Sequence, residues 1–287
     1  MKSRHLRPLI YITDGRTLDV NDRKFDITVR FCDAKNSIDD GAWPSGEYLA
    51  PQQLEAYLKK LRPAGARIIF EEQAELEYFA AVLSPYVRFL DVVAKHSRAF
   101  DLSPIEQFSQ LETVQLCWNI KQTSLWDVTK NQKLKILSMT DYYRVADYSC
   151  LRGSTIEDLR LYGCNGMSSF VSKLRINDLG FLLEMPMLKS LSLDIVKDES
   201  DEYYLEFFSK CKNLTHLDIT GSFFSFEQYA RLKSRLPNVK TGLEGVVDCE
   251  GIYWIIGKGK PKNLSDPAKA EAYRLAYADL VTKYQTQ

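Results

Sequence analysis

Residues 111–116 read LETVQL, and the same L-x-x-L-x-L spacing returns at 134–139 as LKILSM and at 156–161 as IEDLRL. Outward from this centre it recurs at 87–92 (VRFLDV), 188–193 (LKSLSL) and 214–219 (LTHLDI). All 18 frame positions are apolar and 12 are Leu, a bias that chance apolarity does not produce. Alternation at the fourth and sixth positions predicts a short strand with one buried face. The frames start 24, 23, 22, 32 and 26 residues apart, so one structural unit repeats. A single such unit cannot bury its own apolar face, and neighbours must stack.

Each strand is read as leading into a segment of helical period. On DEYYLEFFSKCKN the apolar positions are Phe207, Phe208 and Cys211. On SFEQYARLKSRLPN they are Phe226, Tyr229, Leu232 and Leu236, with Pro237 ending the helix. With this frame and period the chain resembles leucine-rich-repeat proteins. The family places Asn or Cys at the ninth position, where it satisfies backbone groups in the turn leaving the strand. Asn119 and Cys164 match, whereas Lys95, Tyr142, Val196 and Ser222 depart from the pattern, so the array is irregular. The resemblance implies an α/β leucine-rich-repeat solenoid: a curved parallel sheet with helices on the convex side. The long unit, 156–187, holds either an insertion or an extra short strand at VSKLRINDL, through Val171, Leu174 and Ile176.

Solenoid ends need caps. Residues 1–86 are read as an N-terminal cap, 87–245 as repeats and 246–287 as a C-terminal cap. In the first, LIYIT-DG-RTLDV predicts a hairpin around Asp14 and Gly15. KFDITVRF predicts a strand through Phe25, Ile27, Val29 and Phe31. PQQLEAYLKKL predicts a helix with Leu54, Tyr57, Leu58 and Leu61 on one stripe, followed by a strand at ARIIF and a helix at EEQAELEYFAAVL. In the last, GIYWIIGKGKPKN predicts a strand or hairpin. A final helix has Asp266 as N-cap and Pro267 at its first position, with Tyr273, Tyr277, Leu280 and Tyr284 covering the last repeat.

The 38 basic and 38 acidic residues balance, so no global field favours nucleic acid or an anionic membrane. The six cysteines show no metal-ligand spacing and are expected as free thiols. With neither a signal-peptide core nor a spanning stretch, the expectation is a cytoplasmic monomer without cofactor or metal.

In such an array the third, fifth and seventh frame positions face away from the core. The expected protein-binding surface comprises Asp158 and His216 from the third row, and Gln115, Ser138, Arg160, Ser192 and Asp218 from the fifth. Tyr162 and Asp194 join it from the seventh. Arg160 and Tyr162 are residue types enriched at binding hot spots, although Asp158 can pair with Arg160 on the same face. Ser192, His216 and Asp218 do not make a hydrolase triad, since no nucleophile elbow or oxyanion loop accompanies them. GKGKPKN, with Lys258, Lys260 and Lys262, lacks phosphate-loop spacing and reads as a basic turn. Trp118, Trp126 and Tyr142 have no basic stripe around them and read as packing. The functional expectation is a non-enzymatic scaffold that binds another protein on the concave face, with an inhibitor or regulator of an enzyme as the first alternative and an enzyme acting through concave-face residues as the second.

Overall fold

The computed structural model describes residues 9–14, 25–32, 46–95, 98–117, 119, 121–163, 173–219, 223–257 and 262–286. The chain is an α/β protein with a large, mostly parallel sheet. It divides into two units, 1–156 with 161–185, and 157–160 with 186–287.

The first unit runs β1 (Leu9–Asp14), β2 (Ile27–Cys32), β3 (Glu47–Leu49), α1 (Pro51–Leu61), β4 (Gly65–Phe70), α2 (Gln73–Leu83), β5 (Phe89–Ala94), β6 (Thr113–Cys117) and β7 (Ile136–Thr140). Its strands lie in the order β7-β6-β5-β4-β2-β1-β3. Pairing is parallel from β2 through β7, whereas β1 is antiparallel to both β2 and β3. β8 (Asp158–Tyr162) straddles the division. The second unit continues with β9 (Ser190–Leu193), α3 (Asp201–Phe208), β10 (His216–Ile219), α4 (Phe226–Arg235), β11 (Val246–Cys249), β12 (Ile252–Ile255), β13 (Lys262–Leu264) and α5 (Pro267–Gln285). Here β10 pairs in parallel with β9, and β11-β12-β13 form an antiparallel sheet.

Every strand from β5 to β10 begins at the third position of its frame. None of the 18 frame side chains is more than 3% exposed. Burying each Leu contributes roughly 1.5–3 kcal/mol, so the frames are the main stabilising element. The strands are also joined at their starts by one recurring device. The carbonyl of a frame's second residue accepts two N–H groups from the next frame. Arg88 O takes Glu112 N and Thr113 N at 2.8 and 3.1 Å, and Glu112 O takes Lys135 N and Ile136 N at 2.9 and 3.1 Å. In the second unit Glu157 O takes Lys189 N and Ser190 N, and Lys189 O takes Thr215 N and His216 N.

The same device shows two frames that the sequence reading missed. Ala64 O accepts Arg88 N and Phe89 N, so 63–68 (PAGARI) is a frame with Pro63, Ala66 and Ile68 buried. Lys240 N donates to Thr215 O at 2.8 Å, which begins a truncated frame at Val239. Its fourth position is Gly242, at φ +93°, where a Cβ would lie 2.2 Å from the Leu217 carbonyl oxygen. Only glycine lets the chain turn away there.

Between the strands the expectation of a helix after each one holds only in part. After β4, β9 and β10 come α2, α3 and α4. After β5, β6, β7 and β8 come 3₁₀ turns at Ser103–Gln107, Val128–Lys130, Ser149–Leu151 and Leu179–Glu184. Each 3₁₀ turn opens with an Asp whose carboxylate accepts the N–H two residues on. The pairs are Asp101 with Ser103, Asp127 with Thr129, Asp147 with Ser149, and Asp178 with Gly180, at 2.7–3.1 Å. The residue between them, Leu102, Val128, Tyr148 or Leu179, is buried. Such side-chain to backbone bonds compete with an α-helix, which is why these segments tighten instead. Two buried amides complete the turns. Gln122 donates to Phe100 O and accepts Phe100 N–H, both at 2.9 Å, and Asn131 donates to the carbonyls of Ile105 and Phe108 at 3.1 Å.

The ends depart from expectation in places. β1 pairs with β2, Leu9 opposite Cys32 and Asp14 opposite Ile27. The second arm of the expected hairpin, the basic turn at Lys258 and Lys260, and Trp118, Cys164 and Val171 lie outside the described residues. Leu174 is buried and makes an isolated bridge, and no strand forms among residues 173–178. At the C-terminus Asp266 accepts Ala268 N–H and Lys269 N–H at 3.0 and 3.3 Å, capping α5. Tyr277 is buried against Phe226 at 5.3 Å between ring centres, and its hydroxyl donates to Leu243 O at 2.7 Å. A Cβ at Gly245 would lie 2.4 Å from that ring, so the contact requires glycine. Among the described residues no helix is long and apolar enough to cross a membrane.

Because Leu137 is a frame residue with no exposure, Leu137→Ala is expected to cost about 2–5 kcal/mol in urea denaturation. Lys135→Ala, two residues away and exposed, is expected to change stability by less than about 0.5 kcal/mol. Equal effects would refute the assignment of the frame to the core.

Candidate interaction face

Alternation along the strands places the fifth-position residues on the face opposite the leucines, and parallel register aligns them. In the first unit Arg67, Asp91, Gln115 and Ser138 stand side by side on β4, β5, β6 and β7. Beside them runs the seventh-position row Ile69, Val93, Cys117 and Thr140. In the second unit Ser192 on β9 faces Asp218 on β10, and Ser190 faces His216.

This face is less open than the alternation implies. Asp91, Thr113, Val93, Cys117 and Ser138 are buried, as are Ser192 and Asp194 in the second unit. Small side chains sit between larger ones in the same row, a strand spacing apart, Thr113 between Phe89 and Ile136 for example. Of the residues expected on the binding surface, Gln115, Asp158, Arg160, Tyr162 and His216 are half-buried and Asp218 is exposed. Gln115, Ser138 and Tyr162 belong to the first unit, and the other six to the second.

A buried ion pair of the first unit lies in the same fifth-position row. Asp91 is 0% exposed, and its Oδ2 accepts Arg67 Nε–H at 2.5 Å. Burial pushes the Asp91 carboxyl pKa up, against the pull of Arg67. Arg67 lay in a segment read as cap, so its alignment with Asp91 became visible only through the register. In the second unit Arg160 is occupied by Asp158, its Nη2 donating to Oδ2 at 2.6 Å and its Nε to both oxygens at 3.1–3.2 Å. An Arg bound in this forked way is a rigid, oriented surface group.

His216 Nδ1 lies 2.8 Å from Thr241 Oγ1, so its hydrogen bond goes to the truncated frame rather than to Asp218 or Ser192. Asp218 makes no side-chain hydrogen bond among the described residues. Its pKa is raised, first by surrounding protein and then by Glu244 and Asp194, with His216 opposing. Asp218 keeps solvent contact on one side, so the crowding around its carboxylate is partial. His216 and Asp218 belong to the lining of a cavity of about 500 Å³, with Thr241, Glu244, Asp248 and Arg274 as its other polar groups and Ile219, Val246, Val247 and Ile256 as apolar ones. A second cleft of about 660 Å³ at the start of the same strands is lined by Lys189, Lys212 and Lys240. Lys189 is paired with Glu157 at 2.8 Å, and Lys212 donates to the Arg235 carbonyl at 3.2 Å.

Burial pushes the thiols of Cys117, Cys150 and Cys211 up to about 11, which holds them protonated and unreactive near neutrality. Cys32, Cys117, Cys150 and Cys211 are free. Trp126 and Tyr142 are buried, so neither is available for base stacking. Among the described residues no group of three His, Cys, Asp or Glu side chains could hold a metal ion. The chain matches no protein-family model, and comparison with curated proteins returned no similar sequence.

Removing one partner of a buried pair leaves an uncompensated charge. Arg67→Ala is therefore expected to cost about 3–5 kcal/mol by urea denaturation, with Arg67→Met plus Asp91→Leu recovering most of it. A double variant as unstable as the single one would contradict this. The pH dependence of Asp218 has a definite sign. A carboxyl whose folded pKa lies above the ordinary 3.8 binds its proton more tightly in the folded state. Stability then falls as pH rises from 3.8 to the raised value. Stability curves from about pH 3 to 7 for the natural chain and Asp218→Asn should diverge in that sense. A constant offset, or a divergence of opposite sign, would count against it.

Proposed function

We propose that the chain is a leucine-rich-repeat solenoid that serves as a non-enzymatic protein-binding scaffold through the face opposite its leucine core. One observation carries the reading. The frame leucines are consumed by the core, while the alternate residues of the same strands form aligned rows of mixed polarity on the opposite face. Rows repeated at strand spacing offer a partner many weak contacts in fixed register. A partly buried Tyr and a clamped Arg are the residue types that dominate such interfaces. The division of labour also favours binding over catalysis. Cys117, Cys150 and Cys211 are held as thiols, and His216 is turned to Thr241. On this reading the chain is a cytoplasmic protein whose ligand is another protein.

A photoactivatable benzoylphenylalanine placed at Gln115 or His216 on the face, and at Glu206 on the exposed side of α3 as control, tests this in the cells that express the chain. The expected outcome is a discrete adduct from the two face positions, lost when Arg160 and Tyr162 are both changed to Ala. Adducts of equal yield from Glu206, or none from either face position, would remove the reading.

A further inference from the structure

We draw no further inference here: the strongest candidate, the cleft lined by Lys189, Lys212 and Lys240 at the start of β9 and β10, carries nothing, because Lys189 is paired with Glu157, Lys212 donates to the Arg235 carbonyl, and nothing among the described residues apart from these surface lysines points to a ligand.

Discussion

A five-residue parallel strand cannot hold its leucines out of water by itself, and the whole architecture follows from how that deficit is met. Each strand buries three frame residues only when the next strand lies beside it in register. The doubly accepting carbonyl at the second frame position sets that register. Once Arg88 O holds both Glu112 N and Thr113 N, the fourth and sixth residues of both strands fall on one face and the fifth on the other. A slip of one residue would put Leu on the polar face and Asp91 or Gln115 in the core. Hydrophobic burial supplies the stability, and the carbonyl fork supplies the alignment.

The connections answer to a different chemistry. Where the linking segment is rich in Ala, Glu and Leu, as in AELEYFAAVL, an α-helix forms. Where it opens with Asp, a buried apolar residue and then Ser, Thr or Gly, the carboxylate captures the backbone and a 3₁₀ turn results. Both solutions send apolar side chains inward, Tyr204, Leu205, Phe207 and Phe208 from α3 and Leu102 and Ile105 from the turn after β5, so either can close the core. This tolerance explains how units of 22 to 32 residues coexist in one chain.

The polar face is a by-product of register before it is a binding surface. Arg67 and Asp91 meet because they occupy the same row. Function, on the reading proposed, uses what the core leaves over: aligned side chains, some of them clamped by neighbours. Fixed groups bind with less ordering cost than flexible ones, so the clamped Arg160 is suited to recognition even though its charge is shared with Asp158.

The sequence by itself determined the strands. A period-two pattern within a repeat of fixed phase is a local signal, and each frame from Val87 to Leu214 became a strand starting at its third residue. It also determined the terminal helix, through the Asp266 and Pro267 start, and the identities of the residues on the polar face. Tertiary structure decided the rest. The frames at Pro63 and Val239 carry Ala and Gly where Leu is expected, and only hydrogen bonding to their neighbours reveals them. The 3₁₀ turns were legible in the recurring Asp-apolar-Ser/Thr/Gly triplet, yet helical periodicity obscured it. How far each face residue is exposed, which charges pair and where a cavity opens depend on residues distant in the chain. Exposure and pairing are properties of what stands beside a side chain, whereas strand formation depends mostly on what precedes and follows it.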